Sequence, residues 1–392
     1  MTSSTSFPTG KTAIVGIGAT EFSKQSGRSE LQLAIEATQH ALRDAGLKPS
    51  DIDGLVTFMS DTSSEIDVAR SLGMQGLRFF TRTPYGGGGT CATIMLASLA
   101  VNAGLADYVV CYRAFNERSG NRFGAPAVPV ATSQGINMGW YTTFGLATPA
   151  SFIAMVARRY MHEYGATSED FGRVAVACRK HAATNPNAWF YEKPITIEEH
   201  QASRWIVDPL HLLDCCQESD GGVAVVVTSA ERARDLPHRP VHIAGAAQGA
   251  AAGQEAMTSY ARDDIACLPE MAMVGRQLWA QSGMAPSDID CAILYDHFTP
   301  FVLLQLEELG FCARGEARHF IAGGNIEHGG KLPINLHGGQ LGEAYIHGMN
   351  GLNEAVRQIR GTAVNQVENC RNVLVTAGTG VPTSGVVLRA DA

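Results

Sequence analysis

The chain has 392 residues, too many for one small core, and we expect two domains. Hydrophobic residues make up 45% and charged residues 17%, which is typical of a globular protein and not of a disordered one. The formal net charge of −8 and the lack of any basic run exclude a nucleic-acid-binding surface. Glycine or charge interrupts each apolar stretch well before the roughly 18 residues that a membrane-spanning helix needs, so no membrane association is expected.

The cysteines and the N-terminal residues indicate the compartment. Nine cysteines occur without any CxxC pair, and the adjacent Cys215 and Cys216 do not have ordinary zinc-ligand spacing. We therefore expect reduced thiols, no metal site and a cytoplasmic location. Residues 1–10 are rich in Ser and Thr and carry no charged side chain, so no signal peptide is expected.

The first part of the chain predicts alternating strands and helices. Apolar runs indicate the strands, helical spacing of apolar residues indicates the helices, and glycines mark their ends. The predicted elements are a strand at 12–17, a helix at 31–45, a strand at 54–59, a glycine-opened helix at 86–101 and a strand at 108–112.

A different region follows at about 117–217. It contains six prolines, several aromatic residues and short helical stretches. A long insertion in a compact fold usually shapes a binding site or a subunit contact, although it could also be a structural cap.

The same order of elements then returns. The segment Pro-Ser-Asp-Ile-Asp occurs at 49–53 and again at 286–290, each time between a predicted helix and a predicted strand. Glycines 338 and 339 open a second predicted helical stretch, which a strand at 372–376 follows. The repeat predicts two duplicated α/β halves with mostly parallel sheets and a site between them. We place the halves at 10–235, including the insertion, and at 240–392.

Four segments carry a resemblance to a known family. They are Ala-Ile-Val-Gly-Ile-Gly-Ala-Thr-Glu-Phe at 13–22, Gly-Leu-Ala-Asp at 104–107, Tyr-Asp-His-Phe at 295–298 and Asn-Leu-His-Gly-Gly at 335–339. Together and in this order they resemble the sterol-carrier-protein-type branch of the thiolase superfamily, over nearly the whole chain. The resemblance implies an α/β thiolase fold, in which duplicated αβαβα halves form a five-layered structure with an inserted loop region.

The residues that a thiolase uses are replaced in this sequence. The resemblance places the nucleophilic cysteine near Gly87, whereas Cys91 lies about one helical turn later and is interpreted as a core residue. Tyr345 stands where the branch has the catalytic His of Gly-His-Pro, and Tyr295 stands at the leading position of His-Asp-x-Phe. The segment 375–380 lacks the C-terminal cysteine acid. This pattern resembles the thiolase-like aldolases of bacterial steroid side-chain degradation, in which two tyrosines at these positions do the chemistry.

The resemblance implies retro-aldol cleavage of a β-hydroxyacyl-CoA on a steroid, giving a short acyl-CoA and a steroid ketone or aldehyde. The reaction needs a base for the hydroxyl, stabilisation of the thioester enolate and an acid for carbon. Tyr295 and Tyr345 are the expected acid–base pair, although a phenol with the ordinary pKa of about 10 is a poor base at neutral pH. We expect helix N-termini and neighbouring donors to lower these pKa values. Either tyrosine could instead be a buried aromatic with a satisfied hydroxyl.

Further residues are candidates for supporting roles, each with a structural alternative. His297, His337 and His347 lie near the tyrosines or the glycine pair and could orient a proton or serve only the structure. Asp296 could tune Tyr295 or cap a helix, and we favour the cap. The candidates for an oxyanion or CoA pocket are Gly87, Gly88, Gly338, Gly339 and Cys91.

No cofactor beyond the CoA ester itself is expected, because neither metal-ligand spacing nor a dinucleotide-binding glycine motif occurs. Members of the resembled branch work with a small partner that carries a zinc-binding module and an OB fold. The resemblance therefore implies a homodimer that binds such partners in a heterotetramer. Two alternatives remain: a thiolase or acetyl-CoA acyltransferase that uses Cys91, and a non-catalytic subunit of thiolase fold that binds acyl-CoA or lipid.

Overall fold

The computed structural model describes residues 7–122, 132–255, 260–378 and 383–391. The first half of the chain forms β1 (Thr12–Ala19), α1 (Glu30–Ala45), β2 (Gly54–Phe58), α2 (Glu65–Leu72), β3 (Phe79–Thr83), α3 (Thr90–Asn102) and β4 (Tyr108–Asn116). The insertion forms α4 (Ser133–Thr142), α5 (Pro149–Tyr164), α6 (Ser168–Thr184), α7 (Ile197–Ala202), β5 (Trp205–Val207) and β6 (Leu210–His211), and β7 (Asp220–Ser229) and α8 (Ala230–Ala233) follow. The remaining elements are β8 (Val241–Gly249), α9 (Pro269–Ser282), β9 (Cys291–Ile293), α10 (Thr299–Glu308), α11 (Ala317–Phe320), α12 (Gly339–Gly342), α13 (Met349–Arg360), β10 (Asn372–Ala377) and β11 (Thr383–Arg389).

The predicted strands and helices are present, with one difference that concerns the site. The helix expected to begin at the glycine pair stops after four residues as α12 and resumes as α13. Between them, His347 (φ 52°) and Gly348 (φ 85°) adopt left-handed backbone conformations that interrupt a helix. Tyr345 therefore lies on an irregular segment between two helices.

Nine strands of the described residues form one sheet in the order β3-β2-β4-β7-β1-β8-β11-β10-β9. The two halves of this sheet meet at β1 and β8, which are joined only at Ala13–His242 and Ile14–Val241. The expectation of mostly parallel sheets is wrong, because within the described residues only β2–β3, β2–β4 and β9–β10 are parallel pairs. The long strands β7 and β11 run antiparallel to both of their neighbours.

The repeated Pro-Ser-Asp-Ile-Asp segment has the same structure and makes equivalent hydrogen bonds in each half. Its first three residues form a single 3₁₀ turn, at Pro49–Asp51 and at Pro286–Asp288. Its last residue accepts hydrogen bonds from the backbone N–H groups where the neighbouring parallel strand starts. Asp53 binds the start of β4 at 2.9 and 3.0 Å, and Asp290 binds the start of β10 at 2.8 Å. The repeat is therefore a device that fixes the register of two equivalent strands.

Helices cover both faces of the two halves of the sheet, which gives five layers. Helix α1 packs outside on β1, β4 and β7, whereas α9 packs outside on β8 and β11. Helices α3 and α13 lie in the middle, and each contacts strands of both halves. Alternate residues of β7 separate two of the apolar clusters, because Val223 and Val225 face the middle helices while Ala224 and Val226 face α1. This arrangement is the expected five-layered α/β fold.

The insertion lies against the second half of the chain. Helix α6 packs on α10 and α12, and Ala182 fills the space beside Gly338 and Gly342. The insertion thereby covers the segments from which the candidate site residues project. The expected division of the chain at about 235–240 remains a prediction.

Candidate active site

The two expected catalytic tyrosines meet. The hydroxyl oxygens of Tyr295 and Tyr345 lie 3.2 Å apart, within hydrogen-bond distance, although the residues are separated by 50 positions in sequence. Tyr295 is 3% exposed, and Tyr345 is partly buried. The sequence alone suggested that both residues reach one pocket, and the structure places them in direct contact.

Backbone hydrogen bonds and two close glycines hold Tyr295 in position. Its backbone N–H donates to Thr376 Oγ1 at 3.0 Å, and its backbone oxygen accepts from Gln305 Nε2 at 2.9 Å. A Cβ on Gly87 would lie 1.7 Å from the Tyr295 hydroxyl oxygen, and a Cβ on Gly348 would lie 3.2 Å from the ring. Glycine is therefore required at 87 because the phenol occupies the space of a side chain.

Burial raises the pKa of both tyrosines, which corrects the expectation that their surroundings lower it. For Tyr295 desolvation is the main cause, and the hydrogen bond with Tyr345 only partly offsets it. For Tyr345 desolvation also comes first, and the neighbouring Tyr295 adds to the rise of the pKa. Both phenols are therefore neutral at physiological pH, and either hydroxyl can be the donor in the hydrogen bond between them.

His347 is a neutral imidazole whose tautomer is determined by its neighbour. Arg113 Nε donates to His347 Nδ1 at 3.0 Å, and since a guanidinium only donates, Nδ1 must be the acceptor nitrogen. The proton of the ring is then on Nε2. Burial, followed by the charge of Arg113, lowers the pKa of His347 well below its ordinary value. Arg113 itself is 1% exposed and pairs with Asp61, which is also buried.

The other two candidate histidines, His297 and His337, are buried and uncharged. Desolvation lowers the pKa of His297 and of His337 to about 3. The His297 ring centroid lies 4.8 Å from that of Tyr295, whereas His337 Nε2 lies 3.9 Å from a carboxylate oxygen of Glu343. Among the three candidate histidines, His297 and His347 contact the tyrosines, since the His347 and Tyr345 rings pack edge-on at 5.2 Å.

Asp296 caps a helix, the structural role favoured from the sequence. Its carboxylate accepts hydrogen bonds from the backbone N–H groups of Gln340 (2.9 Å) and Leu341 (3.3 Å) at the start of α12. Burial raises the pKa of Asp296 to about 6, and these two hydrogen bonds oppose the rise. The carboxylate fixes the segment that leads to Tyr345.

The oxyanion role expected of the glycine pair at 338–339 stays a prediction. The Gly338 N–H donates to the backbone oxygen of Asn335 at 2.8 Å. A Cβ on Gly339 would lie 2.0 Å from the Asp296 carboxylate, so Gly339 faces a group that repels an anion. The other glycine pair lies at the start of α3, where Gly87 faces Tyr295 and the Gly88 oxygen accepts from Ser384 Oγ at 2.7 Å. Of the glycine candidates, only Gly87 touches a tyrosine hydroxyl.

Cys91 is a core residue in this fold. It is fully buried in α3, and its sulfur lies 3.6 Å from the backbone oxygen of Val375. Burial raises the pKa of the Cys91 thiol well above that of an exposed cysteine, so the nucleophilic thiolate is disfavoured. The geometry gives no support to a thiolase mechanism through Cys91.

Sequence reasoning missed residues on and just after β4. Arg113 and Phe115 share one face of the strand, and both contact the ring of His347. Glu117 follows them as a buried carboxyl, 3% exposed, at the position where the insertion was expected to begin. The alternation of Arg, Phe and Glu was a visible signal, but a buried strand does not reveal which face meets the site.

A groove of about 610 Å³ does not include either tyrosine. It lies between β1, α1 and α13, and its wall includes Thr20, Trp189 and Glu343. A second cavity of about 10 Å³ touches Tyr295, Asp296 and His337 and has room for roughly one water molecule. We treat the tyrosines as the candidate site because their hydroxyls contact each other and His347 packs against Tyr345.

Two expected absences can be compared with the structure. Within the described ranges, no group of three or more His, Cys, Asp or Glu residues could hold a metal ion. No helix in the described part of the chain is long and apolar enough to cross a bilayer.

The fold described above is the thiolase fold. Residues 250–388 match the family described as Thiolase C-terminal domain-like. A steroid side-chain-cleaving aldolase of Thermomonospora curvata is 68% identical over 97% of this chain and 98% of its own length. A 17-hydroxy-3-oxo-4-pregnene-20-carboxyl-CoA lyase of Mycobacterium tuberculosis is 64% identical over 97% of this chain and 99% of its own.

A solved structure described as an Ltp2-ChsH2(DUF35) aldolase has a TM-score of 0.95 to this chain and 67% sequence identity. It covers 98% of this chain and 99% of the other. The chain belongs to the thiolase-fold family of steroid side-chain-cleaving aldolases. The predicted fold, the predicted family and the predicted class of enzyme, a carbon–carbon lyase, are confirmed.

Proposed function

We propose that this enzyme cleaves a β-hydroxyacyl-CoA steroid side chain by a retro-aldol reaction in which Tyr295 and Tyr345 transfer the protons. The observation that carries the proposal is the 3.2 Å contact between their hydroxyl oxygens, which lets a proton pass directly from one to the other. The absence of an accessible thiolate at Cys91 agrees with a reaction that needs no acyl-enzyme.

The related lyase indicates the substrate class. In 17-hydroxy-3-oxo-4-pregnene-20-carboxyl-CoA, the hydroxyl sits on the carbon that is β to the thioester. Breaking the bond between the α and β carbons leaves a ketone on the steroid ring and a three-carbon acyl-CoA. The electron pair of that bond passes into the thioester and forms an enolate, which is then protonated at carbon.

The site provides donors for this charge. The neutral phenols donate hydrogen bonds, because burial raises the pKa of both. Nε2–H of His347 is a further donor whose direction Arg113 fixes. Donors held in place before the reaction stabilise a developing oxyanion without reorganisation, which is worth about 10²–10³-fold in kcat for a single donor.

Two exposed apolar surfaces support the expected assembly. β3 is an outer strand of the sheet, and Phe80 on it is 54% exposed. Met59 just after β2 and Ile66 on α2 are exposed as well. An outer strand with apolar side chains fits pairing with a second copy of the chain, and so a homodimer. In the insertion, Trp140 on α4 and Phe144 just after it are 73% and 82% exposed.

We assign this second surface to a small partner protein, because the structurally similar aldolase is a complex with a DUF35 protein. A partner with a zinc-binding module and an OB fold on each subunit would give a heterotetramer. All nine cysteines are free thiols, which supports a reducing compartment such as the cytoplasm.

The test is product analysis with the chain and its co-expressed partner. The enzyme is incubated with 17-hydroxy-3-oxo-4-pregnene-20-carboxyl-CoA, with and without free CoA, and mass spectrometry follows the products. We expect a three-carbon acyl-CoA and a steroid ketone in equal amounts, at a rate independent of free CoA. Cleavage that requires free CoA would indicate the thiolase alternative, and tight binding without product would indicate the non-catalytic one.

A further inference from the structure

Contacts from three elements hold the imidazole of His347. Arg113 on β4 donates from Nε to His347 Nδ1 at 3.0 Å. The ring of Phe115 stacks on the imidazole with centroids 5.1 Å apart, and the ring of Phe58 on β2 lies 6.0 Å away. The hydroxyl of Thr90, at the start of α3, donates to the backbone oxygen of His347. With a φ of 52°, the residue keeps a conformation that a non-glycine side chain adopts only where its surroundings hold it.

The Nε2 edge of the imidazole faces the glycine turn beside the tyrosines. A Cβ on Gly86 would lie 2.6 Å from His347 Cε1 and 2.8 Å from Nε2. A Cβ on the next residue, Gly87, would lie 1.7 Å from the Tyr295 hydroxyl oxygen. The ring of Tyr345 packs edge-on against the imidazole at 5.2 Å. The imidazole Nε2 and the Tyr295 hydroxyl therefore lie against neighbouring residues of one turn.

A buried ion pair stands behind the Nδ1 edge. Arg113 pairs with Asp61, and both side chains are almost completely buried. The Asp61 carboxylate also accepts hydrogen bonds from the Thr57 hydroxyl and from the Phe58 N–H. Burying a guanidinium without a counter-charge costs much free energy. Asp61 is therefore the residue that allows Arg113 to occupy this position.

The arginine decides what the imidazole can do. In a Ser-His-Asp triad a carboxylate accepts from Nδ1–H, which leaves Nε2 as the nitrogen that takes up a proton. Here a donor occupies Nδ1 of His347, so the proton of the neutral ring is on Nε2. Burial, followed by the charge of Arg113, lowers the pKa of His347, so the ring does not gain a second proton. Nε2 can donate a hydrogen bond but has no lone pair with which to accept a proton.

We propose that Asp61 and Arg113 are positioning residues of the reaction, which hold His347 as an Nε2–H donor beside the tyrosine pair. The inference rests on the retro-aldol function proposed above and names the residues that orient one of its oxyanion donors. It also gives His347 a single role: the imidazole stabilises negative charge on a substrate oxygen and takes no proton from it. Proton transfer remains with Tyr295 and Tyr345.

Nitrogen NMR reads the tautomer independently of activity. The complex of the chain and its partner is labelled with histidine that carries the heavy nitrogen isotope, and the His347 signals are assigned by their loss in His347→Gln. Because a bare and a protonated ring nitrogen differ strongly in chemical shift, we expect a bare Nδ1 and a protonated Nε2 in the wild type. Arg113→Met removes the donor, and part of the population should then carry its proton on Nδ1. A wild type with a protonated Nδ1 and a bare Nε2 would overturn the proposal.

Glutamine at position 347 separates a donor from a base. Its amide nitrogen can donate a hydrogen bond near the place of Nε2 but cannot take up a proton. His347→Gln should keep kcat within about tenfold, whereas His347→Met, which has no donor, should lose about 10²–10³-fold with little change in KM. Thermal unfolding of both variants checks that they are folded. A folded His347→Gln enzyme as slow as His347→Met would contradict the donor role.

Variants of the ion pair test the positioning role. Asp61→Asn and Arg113→Met should each lower kcat by about 10²-fold, because the donor is then misplaced. Arg113→Lys, which keeps a charge and a donor, should restore part of the rate. The matched control is Arg262→Met, which breaks another buried ion pair, with Glu270 at 3.0 Å. It should lower Tm and leave both kcat and the His347 signals unchanged.

The outcomes separate this inference from the proposed function. Arg113→Met with the wild-type kcat and an unchanged Nε2–H tautomer would overturn the role of the ion pair and leave retro-aldol cleavage intact. A wild type that cleaves no β-hydroxyacyl-CoA would overturn the proposed function, while the nitrogen signals would still decide the tautomer of His347.

Discussion

Gly87 offers the sharpest test of the tyrosine site, because its substitution acts on one hydroxyl. In Gly87→Ala the new methyl carbon would start 1.7 Å from the Tyr295 hydroxyl oxygen and 2.3 Å from the ring carbon that bears it. Ordinary contact begins at 3.4 Å, so the phenol or the start of α3 must move by more than 1 Å. We expect the phenol to be displaced, and the 3.2 Å contact with Tyr345 is then lost.

We therefore expect Gly87→Ala to lower kcat by about 10²–10³-fold, because a misplacement of about 1 Å costs roughly that much. Overpacking should lower the free energy of unfolding by about 1–3 kcal/mol. The assay is steady-state cleavage of the β-hydroxyacyl-CoA, with Tm measured on the same preparations. Gly76→Ala is the matched control, since its Cβ would meet nothing within 4 Å, and its rate should be that of the wild type.

A double variant tests whether the effect passes through the hydroxyl. Gly87→Ala combined with Tyr295→Phe should be no slower than the slower single variant, because both changes disable the same group. Multiplicative losses, or a folded Gly87→Ala enzyme within threefold of the wild-type rate, would refute the reasoning.

Three further predictions follow from the site and the surface. Tyr295→Phe and Tyr345→Phe should each fold normally, lose at most about 1–2 kcal/mol of stability and lower kcat by about 10²–10⁴-fold; a folded variant with a near-wild-type rate would make that tyrosine a bystander. Cys91→Ala should retain activity within about tenfold, whereas a loss beyond about a thousandfold in steady-state assays would restore the thiolase reading. Trp140→Ser should reduce co-purification of the small partner and, with it, activity. Leu105→Ser, which changes an equally apolar side chain that is 52% exposed elsewhere, should not, and equal retention of partner by both variants would contradict the assignment of that surface.

The repeated segment and the meeting of the two tyrosines were expected from the sequence for different reasons. The repeated Pro-Ser-Asp-Ile-Asp segment is a local signal, because Asp53 and Asp290 act on strands that lie next to it in the fold. Tyr295 and Tyr345 were identified by resemblance, since nothing in their spacing indicates that two hydroxyls meet. Strand direction was mispredicted because β7 follows a long insertion, and the course of the chain through it decides which way the strand runs.

The proton chemistry of the site could not be predicted, because burial decides it. The phenols were expected to be acidic, and desolvation makes them less so. Glu117 was missed because its surroundings, Lys24 and Ser219, are brought to it by the fold from distant positions. A carboxyl just after a strand is ordinary in sequence, and its pKa is raised only once the fold encloses it.

The close packing around Tyr295 has a consequence for the entropy of the reaction. Thr376 and Gln305 hold its backbone, while Gly87 and Gly348 press close on its ring and hydroxyl. The loss of rotational freedom, commonly about 1 kcal/mol or less for a ring with two rotatable bonds, has therefore already occurred when the chain folds. Binding of substrate need not order this side chain again. A ring held this closely should also flip slowly, so its two edges should give separate signals in NMR spectra of the resting enzyme.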